Sequence, residues 1–150
     1  MTPVLVDTFV WRRYFSGKAS VRRLGDLLDE DGAVLVHPFV MGELVLGGLS
    51  LKEQALFARL PSASMVPHEQ VLAFVRKRRL ARCGIGWVDA HLLASALTSS
   101  AVLWSVDAAL SAAAADLGVA FWKLSGAGRS RSACRLTSGF AAALCPARPR

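Results

Sequence analysis

The stretch Val4-Leu5-Val6-Asp7-Thr8 constrains the chain more than any other. Three apolar residues suited to a buried strand run straight into a carboxylate and a hydroxyl, and Phe9 to Phe15 then reads as a helix. An acid so placed stands at the C-terminal edge of a sheet, where open α/β proteins hold ligands and ions.

The rest of the chain keeps the same alternation. Residues 19–30 predict a helix with Val21, Leu24, Leu27 and Leu28 on one face, and Asp31-Gly32 a turn. Ala33 to Val36 is a second buried-type strand, and Pro38 suits the first position of a helix that runs to about Leu46 before Gly47-Gly48. Helices are expected over 51–60, 69–82, 87–99 and 108–116, with a short extended piece near Val66-Pro67 and strands at 101–104 and 119–122. This β-α-β-α order implies a three-layer α/β/α fold with a mostly parallel sheet of four or five strands.

At 150 residues one domain is expected, and the 53% hydrophobic and 19% charged composition excludes disorder as its state. No apolar run reaches the roughly 20 residues of a membrane span, and no basic segment followed by an apolar region marks a secretory signal. Cys83, Cys134 and Cys145 are odd in number and lack C-x-x-C spacing, which argues against a disulfide framework or a zinc site and fits a reducing cytoplasm. Of the net charge of +7, five units belong to Arg129, Arg131, Arg135, Arg148 and Arg150 in an acid-free segment. The preceding part is therefore only mildly basic, and net charge alone does not identify a nucleic-acid binder. Residues 1–124 are read as the domain and 125–150 as a flexible or weakly docked basic tail.

Four acids stand out. Asp7 and Asp107 follow strands, while Asp89 and Glu43 lie on helix faces that carry apolar neighbours, Leu92, Leu93 and Ala96 for the one, Phe39 and Leu46 for the other. Each alone suits a cap or helix-dipole role. Inward-facing carboxylates together suggest a shared cation, because a buried charge needs compensation.

Val4 to Trp11, Gly42-Glu43-Leu44, Trp87 to Ala94 and Leu103 to Leu110 resemble, in order and spacing, the successive motifs of PIN-domain ribonucleases, specifically the small bacterial toxins of VapC type. The resemblance covers about residues 2–123. It implies that Asp7, Glu43, Asp89 and Asp107 gather at the sheet edge to hold one or two Mg²⁺ or Mn²⁺ ions, with Thr8 and Ser105 in support. It further implies hydrolysis of RNA, a homodimer, and neutralisation by a cognate antitoxin. Phe9 stands where the family commonly has a small hydroxyl residue, and Ala108-Ala109 where a basic residue is frequent.

Oxygen-only ligands match hard cations. Arg76, Lys77, Arg78, Arg79 and Arg82 are candidate RNA contacts, with a solvated helix face as the plain alternative. His37 is expected to be structural, His68 and His91 have no evident partner, and Trp11, Trp87, Trp104 and Trp122 are expected in the core or at its edges. A receiver domain is excluded by the missing acidic pair, and a haloacid dehalogenase by Phe9 where its second Asp belongs. A flap-type nuclease would need a longer chain. The competing reading is a catalytically silent PIN module that binds RNA or a protein.

Overall fold

The computed structural model describes residues 1–121; the expected basic tail, Trp122, Cys134 and Cys145 lie outside the described residues. Strand β1 (Val4–Val6) leads into α1 (Thr8–Phe15). A 3-10 turn (Ala19–Val21) and α2 (Arg23–Leu28) precede β2 (Val34–Leu35), α3 (Pro38–Leu46) and α4 (Leu51–Phe57). Then come α5 (His68–Lys77), α6 (Trp87–Thr98), β3 (Val102–Trp104) and α7 (Ala108–Asp116).

The sheet is parallel, in the order β2-β1-β3, with Val4 opposite Val34 and Val102, and Val6 opposite Trp104. All of β1 and β2 is buried, as expected of strands covered on both faces. Because β1 is central and its last residue is level with the end of β3, Asp7 and Ser105 leave the sheet side by side, and the Asp7 N–H donates to the Trp104 carbonyl at 3.0 Å.

Among the described residues there are three strands, not the expected four or five. The two flanking positions are single parallel bridges, Val36 to Ser62 and Leu103 to Ala120. Ser62 directly follows Pro61, which has no N–H to lengthen a ladder, so pairing occurs there and not near Val66-Pro67.

Helix α5 stops at Lys77, five residues short of the expected end. Arg79 adopts φ 52°, its N–H donates to the Arg76 carbonyl, and the Leu80 N–H donates to the Val75 carbonyl. This is a Schellman stop, closed by burying Leu80. Helix α3 ends the same way, with Gly48 at φ 89° and the Leu49 N–H on the Leu44 carbonyl. The expected helix over 19–30 is divided into the 3-10 turn and α2. Among the described residues no helix is long and apolar enough to cross a membrane.

Candidate active site

Asp7 is only 4% exposed, and its Oδ2 accepts from Ser105 Oγ at 2.9 Å. The same Ser105 oxygen accepts from the Asp107 N–H at 3.0 Å, so one hydroxyl ties the exit of β1 to the start of α7. Thr8, buried in the first turn of α1, donates from Oγ1 to Glu43 Oε2 at 2.5 Å and joins α1 to α3. Asp89, in the first turn of α6, reaches back to accept from the Gly86 N–H at 2.7 Å.

The inward placement expected of four acids holds fully for Asp7 alone. Glu43 and Asp89 are half-buried, and Asp107 is exposed. Asp107 also caps α7, its Oδ1 accepting from the Leu110 N–H at 2.8 Å, so the plain capping role is real at this position.

Burial pushes the Asp7 carboxyl up to about 6, against the hydrogen bond from Ser105, and the charges of Asp89 and Glu43 push it the same way. Asp89 is raised chiefly by its own burial and further by Asp107 and Glu43. Asp89 and Glu43 thus lie within electrostatic reach of Asp7, and Asp107 and Glu43 within reach of Asp89, and among the described residues no positive charge acts on Asp7 or Asp89. Among the described residues no three His, Cys, Asp or Glu close into a ready-made metal cage. The donor set nonetheless fits a hard divalent cation: its ligands are all oxygens, and their charges repel one another.

Phe9 is 56% exposed. It lies beside Arg12 and lines, with Thr8, Glu43, Leu46 and Gly47, an open cavity of about 320 Å³. Trp11 and Trp104 are core residues, whereas Trp87, two residues before Asp89, is 40% exposed and packs edge-on to His68 and His91. Of the basic candidates, Arg76 and Lys77 end α5, Arg78 caps it, and Arg79 and Arg82 lie beyond it in left-handed conformations, so they do not share one helix face.

His37 is structural, as expected. It is fully buried, its Nδ1 accepts from the Phe39 N–H at 3.1 Å to cap α3, and its Nε2 lies 3.1 Å from Ser95 Oγ. Burial, aided by His91, lowers its pKa to about 4, which keeps the ring neutral. Ser95 was not among the sequence candidates; its one signal was a lone hydroxyl in the apolar run Leu92 to Leu97.

Thr8→Val keeps the shape but removes the hydrogen bond to Glu43. The expected result is RNA cleavage reduced about tenfold or more with little loss of stability, checked by initial rates beside thermal melts. Unchanged rates would show that Glu43 needs no such anchor.

The PIN domain family matches residues 4–116. Ribonuclease VapC32 of Mycobacterium tuberculosis strain CDC 1551 / Oshkosh is 43% identical over 120 residues, which cover 78% of this chain and 94% of that protein. The same protein from strain H37Rv gives the same figures. An ordered set of strand-end and helix-start acids on a parallel sheet, a match over most of the chain and this level of identity agree: the chain belongs to the PIN-domain family, among the VapC ribonucleases.

Proposed function

We propose that the protein is an endoribonuclease toxin that hydrolyses RNA phosphodiester bonds with Mg²⁺ or Mn²⁺, held by Asp7 and Asp89 with Glu43 and Asp107 completing the site. The observation that carries this reading is Asp7: a buried carboxyl raised to about 6 beside two other acids, with no positive charge acting on it among the described residues. Held by these four acids, a divalent ion would supply the missing positive charge and the means to activate a water and offset the charge of the phosphodiester. The chain's residues supply orientation. Ser105 fixes which Asp7 oxygen faces the site, Thr8 holds Glu43, and the Gly86 N–H holds Asp89. Without a cation these acids would repel the phosphate they are to cleave.

Exposed Phe9 and Trp87 stand two residues from Asp7 and Asp89 and are suited to stack unpaired bases, while exposed Arg76 and Arg82 are suited to phosphates. The same family reading assigns a cognate antitoxin, a homodimer and a cytoplasmic setting. Exposed Val45, Leu46 and Leu51 on α3 and α4 provide apolar surface for such partners. The change of composition after residue 124 supports a domain over 1–124 and a flexible or weakly docked basic tail over 125–150. Right-handed crossovers across the order β2-β1-β3 place successive connections on opposite faces, the three-layer arrangement.

The test is incubation of total RNA with purified, antitoxin-free protein in Mg²⁺, in Mn²⁺ and in chelator, beside Asp89→Asn. Cleavage that requires the metal and disappears in the variant is expected. Absence of cleavage by folded protein, with no Mn²⁺ bound, would instead favour the silent binding module.

A further inference from the structure

Three links order the acids of the site, and a fourth is missing from that set. Ser105 joins the Asp7 and Asp107 segments, Thr8 joins α1 to Glu43 on α3, and the Gly86 N–H fixes Asp89 at the start of α6. None of these sets the position of α3 relative to α6, although Glu43 on the one must work beside Asp89 on the other. Helix α3 packs mainly on α1, and α6 packs on α5 and β3; close backbone approach between α3 and α6 is sparse. Two carboxylates carried on separate helices repel each other and tend to spread the helices apart.

Polar and aromatic side chains join the two helices near the start of α3. The Phe39 N–H donates to His37 Nδ1, so the ring's proton is on Nε2, which faces Ser95 Oγ at 3.1 Å. His37 and Ser95 are both fully buried, and a polar pair so placed is held in one geometry because either group alone would be left without a partner. His91 and Phe39 add an edge-on ring contact at 4.7 Å between the same helices. His37 is thus the N-cap of the helix that carries Glu43 and is hydrogen-bonded to the helix that carries Asp89.

We infer that His37 and Ser95 are positioning residues of the active site: their buried hydrogen bond clamps α3 to α6 and sets the spacing between Glu43 and Asp89. This rests on the metal-dependent nuclease reading above. The clamp contributes no ligand and touches no substrate. It acts through the two acids, so its loss loosens the grip on the metal and slows the chemical step, while RNA binding outside the site is spared.

Two variants isolate the link. Ser95→Ala leaves the His37 cap in place and removes only the hydroxyl. His37→Asn keeps a side-chain oxygen for the Phe39 N–H, since Asn is a good N-cap, but is too short to reach Ser95. Binding of Mn²⁺ to the full chain is read by electron paramagnetic resonance of the free ion, kcat and KM by RNA cleavage, and folding by circular dichroism and melting. Each variant is expected to weaken Mn²⁺ binding about fivefold to tenfold and to lower kcat by about tenfold, with KM within about twofold. The double variant is expected to be no worse than either single one, because both remove the same bond. If Ser95→Ala fails to fold, His37→Asn tests the link from the other side.

A folded Ser95→Ala protein with Mn²⁺ affinity and kcat within twofold of wild type overturns the clamp, as do losses that multiply in the double variant. Failure of the wild-type chain to bind Mn²⁺ or cleave RNA is a different result: it removes the nuclease reading itself, and the clamp's role with it.

Discussion

Replacing Asp7 by Asn is expected to abolish RNA cleavage and, at the same time, to make the metal-free protein more stable at neutral pH. Both effects come from the same burial. The carboxyl has a pKa of about 6 in the fold against 3.8 for the unperturbed group, so the native state holds the proton more tightly than the unfolded chain does. Its contribution to stability is therefore fully present below about pH 4, falls as pH rises through about 6, and stays low above that. Asn carries no charge at any pH and can still accept from Ser105 Oγ. In chelator at pH 7.5 the variant should gain stability on the order of 3 kcal/mol at most, and at pH 4 almost none. Urea unfolding at the two pH values measures the difference. Cleavage should fall on the order of a thousandfold or more, as expected when the most deeply buried group of an electrostatic site is neutralised. A variant that keeps a tenth of wild-type activity, or that is less stable than wild type at pH 7.5, contradicts the assignment of Asp7.

The parts of this fold that could be read from sequence are those in which local chemistry and tertiary structure agree. The Pro38 start of α3 and the Gly47-Gly48 stop correspond to observed ends, because Pro at the first helical position and Gly in a left-handed cap have few other meanings. Helix α5 was overextended because the same stop is made there by Arg79, a residue that gives no local sign of a left-handed conformation. Leu80 closes the cap by entering the core, and that is a tertiary fact. The sheet was overcounted for a related reason: apolar β-branched runs show that a segment is buried and extended, but not whether a neighbour offers more than one residue to pair with.

The site was legible to a similar degree. The family resemblance implied that Asp7, Glu43, Asp89 and Asp107 gather at one edge; in the structure Asp89 and Glu43 act on Asp7, and Asp107 and Glu43 act on Asp89. Differences in their burial were not visible, since Asp7 and Asp107 both follow a strand and both stand at the N-cap of a helix, and so look alike in a string of letters. The His37–Ser95 bond was out of reach altogether. Its partners are 58 residues apart, and neither belongs to a motif of acids.

Divalent metal should stabilise the protein strongly, with a pH dependence that identifies the groups involved. In the metal-free site the acids repel one another, so a bound cation both satisfies their lone pairs and removes that repulsion. Mn²⁺ at about a hundred times its dissociation constant adds about 2.7 kcal/mol, which for a chain of this size raises the melting temperature on the order of 5–10 °C. Protons compete for the same oxygens. As pH falls through about 6 the native Asp7 becomes protonated, and metal must displace that proton to bind. At a fixed Mn²⁺ concentration the rise should be full at pH 7.5 and much reduced at pH 5. Asp7→Asn should lose most of it at both pH values, and so should Asp89→Asn. Calorimetric melts with and without Mn²⁺ test all three statements. A rise of equal size in wild type and both variants would mean that the metal binds elsewhere. A rise undiminished at pH 5 would show that ligands other than these carboxylates hold it.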